Sequence, residues 1–325
     1  MVLILICLLV FGTAGELTDL HLRLEYASYK ARYSKIYTAE EDQIHFTTFK
    51  SSLSTINEIN NSNLGFSLNL GPLSDQLPEE VGTIPNFDLK LDLHPEINYL
   101  NTDNLPESVD WVKSGKVSPL RTQGTCKATW IFSTIDTIES IVAITKGTTT
   151  TTLSSQQFIS CSDSSGNSGC TSGTIEKSFN FALSNNICTE SQYPFIDNVA
   201  SCKKKLKCQT QISSVNAIIP NNEAQLKAAV AIQPVSVTLN ITTTLMNYKS
   251  GVLPSGWCGT STVQSNFVIV GYGSIANVDY WVIRSYWGNS WGIGGYGLVA
   301  RNDKNTANSG SCGIASAPLA PSFNF

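Results

Sequence analysis

The sequence predicts an α+β chain, with a helical half, a strand-rich half and an acidic helical segment in front. Three observations carry that prediction. Residues 129–144 (TWIFSTIDTIESIVAI) place Trp130, Phe132, Ile135, Ile138 and Val142 in the pattern of a buried helix. Beyond about residue 212 the chain turns to short β-prone runs at 235–239, 267–270, 280–284 and 296–299, separated by glycine-rich turns. Residues 19–60 are rich in helix-forming and charged residues, and Phe49, Leu53, Ile56 and Asn60 recur at spacings of three and four.

From the start of the chain, residues 2–11 (VLILICLLVF) form an apolar run too short to span a bilayer, and small residues follow. That is the pattern of a signal peptide over 1–15, and no later stretch reads as a membrane span. The polar stretch with Pro72, Pro78, Pro85 and Pro95 reads as extended linker. Thr148–Thr152 form a β-branched connection after the predicted helix.

The 325 residues are 42% hydrophobic and 14% charged, an ordinary globular composition. Of nine cysteines, Cys7 leaves with the signal peptide, and eight remain in a chain bound for an oxidising space. Their spacings hold no paired zinc pattern and the histidines lie elsewhere, so neither metal nor cofactor is expected. Upstream of Leu105 stand 6 Lys and Arg against 14 Asp and Glu, a net of −8. From Leu105 onward 15 stand against 11, a net of +4. Opposite charges favour docking of front segment and body, although two separately solvated surfaces fit the charge equally well. The run Lys203-Lys204-Lys205-Leu206-Lys207 lacks interleaved aromatics, so it reads as a loop and not as a nucleic-acid site.

Seven blocks point to one family. They are residues 105–133 (LPESVDWVKSGKVSPLRTQGTCKATWIFS), 153–161 (LSSQQFISC), 193–195 (YPF), 233–237 (QPVSV), 270–273 (VGYG), 280–297 (YWVIRSYWGNSWGIGGYG) and 312–316 (CGIAS). In order and spanning the body, they resemble papain-family (cathepsin L-like) cysteine-protease zymogens. The front segment resembles that family's inhibitory propeptide. Glu41, Phe49, Ile56 and Asn60 meet its helical motif, with His45 in place of Arg and Ser52 in place of Asn, and residues 73–81 (LSDQLPEEV) match a downstream element.

The resemblance implies a papain-like two-lobed fold, one helical lobe and one β-barrel-like lobe with a cleft between. It implies a propeptide at 16–103 running backwards through the cleft, a body at 104–325 and a cut near residues 101–105. It implies the disulfides Cys126–Cys170, Cys161–Cys202 and Cys258–Cys312, and leaves Cys188 and Cys208 over for each other. The destination is extracellular or a lysosome-like compartment, where Asn240 and Asn60 are glycosylation sequons.

Such enzymes need a thiolate, an imidazole to move its proton, a residue to orient the imidazole, and oxyanion donors. Matched to the family's motifs, the nucleophile position is Thr129, the base position Ser265 and the orienting position Ser285. Gln123, the oxyanion donor, and Trp287, which shields the orienting residue, are retained. The run that pairs with substrate backbone reads Cys170-Thr171-Ser172-Gly173, and Lys127 replaces a glycine beside the nucleophile position; both changes crowd the cleft. All three histidines, His21, His45 and His94, precede Leu105. The expectation is a secreted, monomeric papain-like homologue without catalysis, whose partners are its own propeptide and peptides or protein ligands in the cleft. The alternative is a cysteine endopeptidase using an atypical nucleophile such as Cys126.

Overall fold

The computed structural model describes residues 14–82, 95–97, 102–259, 262–304 and 308–324. Most of the expected signal peptide, Asn101 at the expected cut, and residues 83–94 with His94 lie outside the described residues.

The front segment holds two helices, α1 (Ala14–Arg32) and α2 (Ala39–Asn61). The break falls where Ser34 adopts φ 53°, and α2 restarts on a capping box in which Thr38 and Glu41 exchange hydrogen bonds. Tyr26, Tyr29, Phe46 and Phe49 pack as an aromatic cluster between the two helices. The stretch expected as linker carries a strand, β1 (Phe66–Leu68), and a short helix, α3 (Pro78–Val81), with proline at its start.

The front segment ends on β2 (Glu96–Ile97); the body begins at β3 (Val109–Asp110), then builds its helical lobe from α4 (Thr129–Thr145), α5 (Ser155–Cys161) and α6 (Ile175–Ser184). The second lobe carries β4 (Ser214–Ile218), α7 (Glu223–Ile232), β5 (Val235–Asn240), α8 (Thr243–Met246), β6 (Tyr248–Leu253), β7 (Gln264–Ile275), β8 (Val278–Arg284), β9 (Tyr296–Ala300) and β10 (Leu319–Ser322). The expectation of strands throughout this half misses α7: Asn222 caps it, and the alanine-rich EAQLKAAVAI favours helix.

The strands form one sheet in the order β1-β6-β9-β8-β7-β5-β10-β4-β2, with β3 added to β7. At Gly271 the β3 backbone comes so close that a Cβ would meet Val109 O at 2.2 Å, so that crossing needs glycine. The front segment completes the edge: β1 pairs antiparallel with β6, and Ile56, Ile59, Phe66, Leu68, Leu73 and Val81 join the barrel's own core. A second core fills the helical lobe.

Helix α4 lies where the lobes meet and is buried on nearly every side. Its small hydroxyl residues allow close approach to the sheet: Ser133 donates to Phe267 O at 3.2 Å, and Ser236 donates to Ser133 O at 2.8 Å. Asp136 and Glu139 face Arg121 and Arg284 in a buried charge network, and the Tyr286 phenol donates to Asp136 at 2.8 Å. Breaking such a network strands a buried charge, so it ties the loop at Arg121 and strand β8 to α4.

Candidate functional site

The first candidate residue stands at the start of α4. Ala128 (φ −84°, ψ 62°) turns the chain so that the Thr129 N–H donates to Lys127 O at 3.0 Å. A backbone donor at the site is thereby already engaged. The Thr129 hydroxyl donates to Asn266 Oδ1 at 3.2 Å. It accepts from Ser265 Oγ and from the Asn266 N–H, each at 3.4 Å.

Strand β7 supplies those partners: Ser265 pairs with Leu239 of β5, and the Asn266 amide donates onward to Thr238 Oγ1 at 3.0 Å. The structure therefore brings Thr129 and Ser265 together, both more than nine-tenths buried. Every side chain in the cluster is uncharged. Asn266 escaped the sequence reading, because no motif marks it and its contact with Thr129 spans 137 positions.

Ser285 is not part of that cluster. It is buried, and both its N–H and its hydroxyl donate to Gly295 O, at 3.0 and 3.2 Å. Gln123 and Trp287 sit side by side, because Gln123 N donates to Tyr286 O and Thr122 bridges to Trp287. Both are more than nine-tenths buried, and neither Gln123 Oε1 nor Trp287 Nε1 has a hydrogen-bond partner among the described residues.

The cleft's rim is more built than the sequence implies. Lys127 takes a left-handed backbone (φ 53°) that suits glycine, and its ammonium donates to Glu80 O at 2.7 Å. It thus reaches the end of α3 in the front segment. Gly82 follows, packed so closely on the Gln264 backbone that a Cβ would lie 2.4 Å from its oxygen. On the other rim Thr171 and Ser172 are exposed, whereas Gly173 lies against the Trp130 ring, where a Cβ would come within 2.3 Å. Asp197, also unmarked in the sequence, accepts from the N–H groups of Thr125 and Cys126 at 2.8 and 3.0 Å and pins the loop after Gln123.

Cys126 is bonded to Cys170 in the structure, as are Cys161 to Cys202, Cys188 to Cys208 and Cys258 to Cys312. Both nitrogens of the His45 ring are engaged within the front segment, Nδ1 at 2.7 Å from Asp75 O and Nε2 at 3.5 Å from Glu80. Asn60 bridges the Leu68 backbone with its amide, and Asn240 is half-buried with its amide directed towards Gly313. Among the described residues no group of His, Cys, Asp and Glu could hold a metal ion.

The family model described as papain family cysteine protease matches residues 105–322, and that of the cathepsin propeptide inhibitor domain matches 26–81. A probable cysteine protease, RD21B of Arabidopsis thaliana, is 38% identical over 291 residues; the match covers 85% of this chain and 60% of that protein. Cysteine proteinase 1 of Entamoeba histolytica is 30% identical, covering 92% of this chain and 94% of that one. Among solved structures, a recombinant stem bromelain precursor aligns with a TM-score of 0.80 at 28% identity, covering 94% of this chain and all of that one. Digestive procathepsin L 3 of Tenebrio molitor aligns with a TM-score of 0.78 at 28% identity, covering 93% and 99%.

Proposed function

The chain belongs to the papain family of cysteine proteases, and we propose that it is a non-catalytic member that holds peptides in its cleft without cutting them. The observation that carries this reading is the neutral cluster of Thr129, Ser265 and Asn266 at the start of α4, in a body whose sequence has no histidine after His94. A threonine hydroxyl stays protonated at neutral pH, and nothing in the cluster has the basicity to take its proton. Cys126, the nearest sulfur in sequence, is committed to a disulfide.

The chain also carries the cathepsin propeptide inhibitor domain, its first partner. Strand β1, the shared core and the Lys127–Glu80 bond hold that domain to the body. Four disulfides and the apolar start fit an extracellular or lysosome-like destination.

The relatives are named as proteases, and the competing reading is that this chain is one too, with an atypical nucleophile. A thiol-directed active-site probe separates the two. With intact disulfides the folded protein should take up no probe, whereas an adduct that persists in Thr129→Ala and maps by peptide mass to Cys126 identifies Cys126 as a nucleophile.

A further inference from the structure

Lys127 is fixed in the middle of the site by its backbone. Its N–H donates to Gln123 O at 3.2 Å, and its carbonyl accepts from the Thr129 N–H at 3.0 Å. The side chain is exposed and puts a positive charge beside a cluster whose own side chains are all uncharged. It forms no ion pair among the described residues. Asp197, under the same loop, is engaged by the N–H groups of Thr125 and Cys126 and by the Thr125 hydroxyl.

The acceptor that the ammonium does have comes from the front segment. Glu80 O, 2.7 Å away, is a carbonyl at the end of α3, where no intrahelical N–H follows to pair with it. The Glu80 carboxylate is occupied within the front segment, by the Leu77 N–H at 2.7 Å and His45 Nε2 at 3.5 Å. The cation is thus matched with a neutral oxygen. Once the front segment leaves, Lys127 has lost that acceptor, and whatever enters the cleft has to supply another. A carboxylate makes a charge-assisted bond roughly twice as strong as a carbonyl makes. The surroundings favour it too, because from Leu105 onward 15 Lys and Arg stand against 11 Asp and Glu.

We propose that Lys127 sets the specificity of the cleft, selecting peptides that place a carboxylate where Glu80 O stands. The inference rests on the reading of the cleft as a groove that holds peptides. A free C-terminus and an Asp or Glu side chain offer the same group, and the test separates them.

The chain is nicked within residues 83–104 and its front segment removed. All four disulfides and, among the described residues, 26 of the 32 buried residues of the strand lobe's core belong to the body, so it keeps a core of its own. Three fluorescein-labelled peptides copy residues 73–80 (LSDQLPEE). The first carries Glu80→Gln and a C-terminal amide, the second Glu80→Gln and a free C-terminus, the third Glu80 and an amide. Binding is read by fluorescence polarisation for the wild type, Lys127→Met and the charge-matched control Lys304→Met.

The second peptide, the third, or both should bind the wild type about tenfold more tightly than the first, and which of them gains identifies the source of the carboxylate. Lys304→Met should keep that gain and Lys127→Met should lose it. The uncut chain, whose Lys127 is held by Glu80, should bind none of the three. Melting curves check the stripped body; if it melts early, the same order is read from release of the front segment by each peptide in the nicked, undissociated chain. Equal binding of all three peptides, or a gain that survives in Lys127→Met or vanishes in Lys304→Met, overturns this inference and leaves the peptide-holding reading in place. A folded body that binds none of them overturns both.

Discussion

At Thr129 the hydroxyl donates to Asn266 and accepts from Ser265, linking α4 to β7 by hydrogen bonds. Thr129→Ala should therefore cost about 1 kcal/mol of stability, read by chemical denaturation. Asp197→Ala strands two backbone donors and should cost about 2 kcal/mol. Glu223 gives a pH signature. Burial pushes its carboxyl up, against the pull of the Trp281 indole and the Asn302 N–H that donate to it. A raised acid favours the folded state at low pH, and that contribution is lost as pH rises through the folded pKa. Glu223→Gln has no such loss, so its melting temperature should gain on that of the wild type as pH rises above the ordinary carboxylate range. A constant difference across that range contradicts this account. Asn266 shows why sequence reads the site only in part: motifs align positions, whereas a hydrogen bond between residues 137 apart depends on how β7 folds over α4.

Helix α4 was legible because its apolar residues recur at helical spacing and it is buried all round. Strand β1 was not: three residues carry no period, and it exists because β6 offers an edge to pair with. Helix α7 was hidden by the β-prone runs around it, although Asn222 marks its start. The same elements give two predictions. The disulfide Cys126–Cys170 closes 44 residues between the loop before α4 and the opposite rim. Replacing both cysteines by serine should cost about 4 kcal/mol, read from the denaturation midpoint. At the rim, Lys127→Met removes the bond to Glu80 O and should weaken the hold on the front segment about fivefold to tenfold. The measurement is dissociation of that segment after a nick within residues 83–104.

On the scale of the whole molecule, two lobes, a cleft and an inhibitor domain are retained around a neutral site. If only reacting side chains were lost, Thr129→Cys alone should give a weakly reactive thiol and almost no turnover. The triple change Thr129→Cys, Ser265→His, Ser285→Asn should recover peptidase activity, because such groups act as a unit. Gly82 presses on the backbone beside Ser265, so recovery should follow removal of the front segment. The most direct test of the central claim needs no gain of function. The wild-type chain is nicked within residues 83–104, its front segment is removed, and turnover of a fluorogenic peptide library is measured beside Thr129→Ala. Both proteins should hydrolyse peptides at the rate of buffer alone. Turnover by the wild type that Thr129→Ala abolishes would contradict the account and make Thr129 a nucleophile.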